Sequence, residues 1–227
     1  MAFRRVRRRV LRRKPVSRRR RYFRRRYIRR RRNRGNLLVK CTKVSELVIP
    51  NNATSTWSLS FVPTDFPEIV GLMKNFETGK FLKQRVRVMP LQNVANNSTS
   101  QVPGYCMFPW HVSASPPASK LFTDFMSIDR ARYYSQTQKG YMSFVPSLQL
   151  INLVGSASES TEVGTIKYKP EVPWNFSHNR ASGGGNPRIN AGCLAFQGDA
   201  SAEGREARFN IIQDVWVLMK NQCTLYL

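Results

Sequence analysis

The 227-residue chain carries 38 Lys and Arg against 13 Asp and Glu, a formal net charge of +25, with 41% hydrophobic residues and four cysteines. No run of about eighteen apolar residues occurs, so no membrane-spanning helix or membrane insertion is expected. The charged start carries no secretory-signal pattern, so synthesis in the cytosol with the nucleus as destination is the expectation.

The charge is concentrated in residues 1–36, read as an arm ahead of one domain over residues 37–227. Its cations are Arg4, Arg5, Arg7, Arg8, Arg9, Arg12, Arg13, Lys14, Arg18, Arg19, Arg20, Arg21, Arg24, Arg25, Arg26, Arg29, Arg30, Arg31, Arg32 and Arg34. No acid appears before Glu46, so the arm holds +20 and residues 35–227 hold +5 (18 basic against 13 acidic). Like charges repel, and too few apolar residues are present to offset ordering, so the arm alone is expected to be disordered. A dense polyanion reverses that balance, because each phosphate contact releases a condensed counterion. Arg outnumbers Lys nineteen to one here. Its guanidinium forks onto phosphate and stacks on bases, which favours nucleic acid over a generic acidic surface.

Phe3, Val6 and Val10 sit at near-helical spacing until Pro15 breaks the run. Tyr22, Phe23 and Tyr27, with Ile28, interleave the later arginines. Two readings stand for these aromatics: stacking on unpaired bases, or packing against the domain once the arm docks. The basic clusters flanking Pro15 also match a nuclear-import signal. Aliphatics are too few for a membrane-surface helix.

The domain reads as strands separated by turns. Residues 37–49 are rich in β-branched residues and end at Pro50-Asn51-Asn52. Ser55–Val62 alternates Trp57, Leu59 and Phe61 against Ser58 and Ser60. A short helix follows, with Asp65 and Glu68 spaced as a capping box, Pro67 in its first turn, and Phe66, Ile69, Val70 and Met73 on one face. Residues 80–89 predict a strand with Leu82, Val86 and Val88 on one side and Phe81, Lys83, Arg85 and Arg87 on the other. Two readings stand for Lys83, Arg85 and Arg87: a solvated strand face, or a second contact for phosphates.

Residues 91–103 are a polar loop, Tyr105–Val112 a short aromatic strand, 113–118 a rigid loop, and 121–126 a brief helix. Residues 130–145 predict a strand pair around Lys139-Gly140, and Leu148–Val154 another strand. A long polar region follows, with turns at Gly155 and Gly164 and a loop at Gly183–Gly185. Residues 191–198 form a strand bounded by glycines. The last strand, Ala207–Met219, places Phe209, Ile211, Val215, Val217 and Met219 on one face and Ile212, Trp216 and Leu218 on the other. Both faces are apolar, so this strand is expected to be central, or a wall shared with a neighbouring subunit. About eight strands, long loops and two short helices indicate an all-β fold, a single eight-stranded jelly roll or β-sandwich.

Signals for chemistry are weak. His111 and His178 lack partners at metal-ligand spacing, and Gly79-Lys80 lacks the rest of a phosphate-binding loop. Asp124 and Asp129 form no recognisable catalytic pair. Cys41, Cys106, Cys193 and Cys223 are far apart and read as small buried residues. No catalytic residue, metal or cofactor is assigned.

Three segments resemble the capsid proteins of the Circoviridae, the circoviruses and cycloviruses. The stretch from Trp57 to Phe66 (WSLSFVPTDF) resembles the family's strand leading into a helix start. Phe76 to Pro90 (FETGKFLKQRVRVMP) resembles its FE-x-x-R-I-x-K-V-x-V strand, and Arg208 to Lys220 (RFNIIQDVWVLMK) its closing strand. Residues 155–190 depart from circovirus capsids, which favours a cyclovirus or relative. The resemblance implies a jelly roll, sixty of which form a T=1 shell around circular single-stranded DNA. It also implies an arm that binds the genome and engages host nuclear-import receptors. The outer surface is then expected to meet host cells, cell-surface glycosaminoglycan included. The alternative is a monomeric cellular basic nucleic-acid-binding module, ribosomal or chromatin-like. A third reading, a nuclease, would need a metal-binding acidic cluster.

Overall fold

The computed structural model describes residues 35–50, 52–91, 103–117, 119–135, 137–154, 161–174, 187–198 and 206–223. Two antiparallel sheets share one core. The first runs β1 (Leu37–Pro50), β11 (Glu206–Gln222), β3 (Phe76–Pro90), β6 (Gly140–Phe144), with β9 (Glu171–Pro173) also on β3. The second runs β2 (Ser55–Ser58), β10 (Gly192–Phe196), β4 (Tyr105–Pro109), β5 (Arg132–Tyr134). A separate hairpin joins β7 (Ser147–Val154) to β8 (Thr161–Tyr168). Strands early and late in the chain are thus neighbours in both sheets, as a jelly roll requires.

Period-two alternation fixes which side faces in. Phe209 and Ile211 of β11 join Val86 and Val88 of β3, Tyr105 and Met107 of β4, and Leu194 and Phe196 of β10 in one cluster between the sheets. A second cluster gathers Phe61, Phe66, Phe81, Trp174, Val215 and Val217. The ring of Trp174 packs against Gly79, where an added Cβ would come within 1.9 Å of it. Helix α2 (Phe122–Met126) covers the far side of the second sheet, burying Phe122 and Phe125 against Cys106, Phe108 and Cys193. Strands β4 and β10 are therefore covered on both faces.

Several expectations change. A β-bulge opposes Trp216 and Val217 to Lys83 and Phe81, leaving Leu82 as the extra residue. The bulge flips the parity, so fully buried Phe81 joins Val86 and Val88 inside while Leu82 does not. The predicted pair at 130–145 is two strands of different sheets: β5 pairs with β4 and β6 with β3. Gly164 is no turn; it lies within β8, opposite Ile151. Asp65 does not cap helix α1 (Pro67–Met73) with Glu68. Its carboxylate instead accepts from the Val62 backbone N–H at 3.2 Å, closing the one-turn 3-10 segment Pro63–Asp65. Val70 faces out, and Leu72 packs inward with Met73. Cys41, Cys106 and Cys193 are buried, whereas Cys223 is half-exposed beside Glu77. Most of the 91–103 loop, Gly155, His178 and Gly183–Gly185 lie outside the described residues.

Candidate nucleic-acid interface

Strand β11 is central, as its two apolar faces imply, yet among the described residues only its inner face is covered. Antiparallel register builds the outer face. Lys40 and Thr42 of β1 lie opposite Trp216 and Asp214 of β11, which lie opposite Lys83 and Arg85 of β3. Arg87 follows on β3, and Tyr141 and Ser143 of β6 flank it. Lys83, Arg85 and Arg87, singled out from sequence, therefore do share one face of one sheet, and Lys40 joins them from a strand more than forty residues earlier.

Asp214 organises the group. Its side chain is 0% exposed, against 29% for Arg85, 41% for Arg87 and 43% for Lys40. On an outward face, that burial comes from the cations lying over it. Arg85 donates to one carboxylate oxygen through Nη2 at 2.6 Å and Nε at 3.0 Å, and Arg87 Nη2 approaches the same oxygen at 3.3 Å. The Thr42 hydroxyl donates to the other oxygen at 2.8 Å, and Lys40 Nζ lies 3.1 Å from it. Burial pushes the Asp214 pKa up, but the bonds from Arg85, Thr42 and Lys40 and the charge of Arg87 outweigh it and hold the carboxyl at about 2.

Trp216 stands at the middle of the cations. Lys40, Lys83 and Arg85 lie 5.8, 5.4 and 5.2 Å from its ring centroid. Four cations against the one acid leave this patch at +3. Its flanks are self-neutralised: Glu46 lies 3.7 Å from Arg208, and Glu171 2.5 Å from Lys220. Beyond β6, Arg130, Arg132, Tyr141 and Ser143 line an open recess of about 360 Å³. A hydrogen bond to Ser143, with Arg85 and Lys83 nearby, lowers the Tyr141 pKa. The face can thus hold a polyanion over a stretch several side chains wide.

The arm cations Arg4 to Arg34, and Tyr22, Phe23 and Tyr27 with them, lie outside the described residues. No group of three or more His, Cys, Asp or Glu suited to a metal occurs among the described residues. Lys40, Thr42, Asp214 and Trp216 were missed from sequence. The alternation of Lys40 and Thr42 around Cys41 was a visible signal for their common face, but their register with β11 was not.

The model of the circovirus capsid protein family matches residues 3–223. A curated capsid protein of Human associated cyclovirus 1 is 40% identical over 192 residues, covering 83% of this chain and 84% of that protein. The chain belongs to the circovirus capsid protein family. It is thus a viral capsid protein, a constituent of the virion, and the cellular ribosomal or chromatin-like alternative gives way. Solved structures agree on the fold. The BFDV capsid protein in its 60-mer crystal form has a TM-score of 0.54 at 12% identity, over 85% of this chain and 96% of that one. Its decameric form has a TM-score of 0.51 at 11% identity, over 82% and 99%. The capsid fold here is the jelly roll that the sequence implied.

Proposed function

We propose that this capsid protein self-assembles into a T=1 shell of sixty copies and packages circular single-stranded DNA through the arm of residues 1–36. The observation that carries this reading is a +20 arm joined to the first strand of a capsid jelly roll. The chain enters β1 at Leu37, so body and arm separate the two tasks: strands build the wall and arginines neutralise phosphate. Assembly is supported by the BFDV relative, which crystallises as a 60-mer. Sixty arms of +20 carry about 1,200 positive charges, enough for a genome on the order of a thousand nucleotides. Lys83, Arg85 and Arg87, with Lys40, form a second phosphate contact on the body. The same arm, with basic clusters around Pro15, directs import into the host nucleus. The outer shell surface meets host cells, acidic glycosaminoglycan being a chemically suited ligand.

Deleting residues 1–34 tests the arm. The truncated chain is expected to fold but to lose most of its affinity for single-stranded DNA, with a shallower dependence on salt. Undiminished affinity at moderate salt refutes the arm's role.

A further inference from the structure

The arm accounts for bulk affinity, but it leaves the Trp216 cluster unexplained. A partly exposed indole on a central strand is ringed by three cations, of which Lys40 and Arg85 share one buried acid, Asp214. Lys83 makes no ion pair among the described residues; its ammonium lies over the indole, 5.4 Å from the centroid. The arrangement holds an aromatic face and unspent positive charge at one place.

We propose that Trp216 is a stacking platform for an unpaired base, and that Lys40, Lys83 and Arg87 take the flanking phosphates. This rests on the reading of the chain as a shell around single-stranded DNA and assigns part of that contact to the folded body. Arg85 stays forked on Asp214, holds the platform in place and adds its charge to the same phosphate contact. The two lysines have long, flexible stems, so each can move from the ring to a phosphate and free the indole face. A base then gains stacking, and the cations gain a partner. Duplex DNA gains only the second, because its bases already stack on one another.

Three observations favour this occupant. The patch carries +3, so a second copy of the same face is repelled. A protein surface without acids would leave Lys83 desolvated and unpaired. Arg34, the last cation of the arm, precedes Lys40 by only six positions along the chain.

The test uses the full-length chain and a single-stranded thymidine oligonucleotide bearing 5-bromodeoxyuridine. Ultraviolet crosslinks, mapped by mass spectrometry, are expected at Trp216 as well as in the arm. Trp216→Leu is expected to weaken the oligonucleotide about fivefold or more, with the salt slope unchanged. Trp216→Phe is expected to retain most of the affinity, and a duplex of equal length to show no difference between variants. Polyglutamate of equal charge is expected to compete poorly. Crosslinks confined to residues 1–36, equal loss on duplex, or polyglutamate competing as well as the oligonucleotide would each overturn the proposal. Because crosslinking reads the unsubstituted chain, a folding defect in Trp216→Leu leaves the decision intact. Failure of the arm's role appears separately, as undiminished affinity after deletion of residues 1–34.

Discussion

Replacing Asp214 by Asn removes the one acid that serves Lys40, Arg85 and Arg87 while keeping the side-chain shape. The Asp214 carboxyl is held at about 2 against an ordinary 3.8. At about 1.4 kcal/mol per unit, that difference amounts to about 2.4 kcal/mol of stability at neutral pH. The partners are 29% to 43% exposed and can turn to water once the acid is gone, so the loss should stay below the 3–5 kcal/mol typical of a broken buried pair. The expected cost of Asp214→Asn is about 2 kcal/mol, or about 4–8 °C in Tm for a domain of this size. Urea melts of the DNA-free full-length chain, followed by circular dichroism, measure it. The sign with pH is fixed: a depressed carboxyl contributes fully above its unfolded value and loses that contribution as pH falls toward about 2. The gap between parent and variant should therefore close on acidification. In parallel the patch goes from +3 to +4, so single-stranded DNA should bind more tightly, by up to one extra phosphate contact in the salt slope. A variant as stable as the parent, or a gap that persists unchanged to pH 2, refutes the ionic account of this cluster.

Other outcomes follow from the same physics. Gly79→Ala drives a Cβ to within 1.9 Å of the Trp174 ring and is expected to cost about 1–3 kcal/mol in a denaturant melt. His111 is half-buried, its Nδ1 2.9 Å from the Ser147 hydroxyl and its ring against Tyr168. Burial lowers its pKa below 6.5, so its contribution to stability is present above that value and lost as pH falls through the folded one. His111→Gln should flatten the pH dependence of stability across that window. Burial pushes the Cys41 thiol up to about 11 and those of Cys106 and Cys193 to about 12. With an aromatic disulfide reagent, half-exposed Cys223 should react first and these three only on unfolding.

The jelly roll was legible because strands announce themselves locally. The alternation in β11, with Phe209, Ile211, Val215 and Val217 against Ile212, Trp216 and Leu218, is set by the chain's own period of two. Sheet membership is not local. Residues 130–145 carry two strand signals, but which neighbour each finds depends on β3 and β4. The Leu82 bulge is a property of the pair β3–β11 and leaves no mark in β3 alone. Gly164 looked like a turn because glycine supplies one readily; β7 supplies the pairing that makes it strand. The candidate interface was half legible for the same reason. Lys83, Arg85 and Arg87 alternate within one strand, whereas Thr42 and Asp214, which share a hydrogen bond, are 172 positions apart.

The central claim is that a basic arm and a β wall on one chain close a shell around single-stranded DNA. Negative-stain electron microscopy of the full-length protein mixed with circular single-stranded DNA tests it most directly. Uniform closed particles at low salt are predicted. A monodisperse population of monomers at every salt and pH contradicts it.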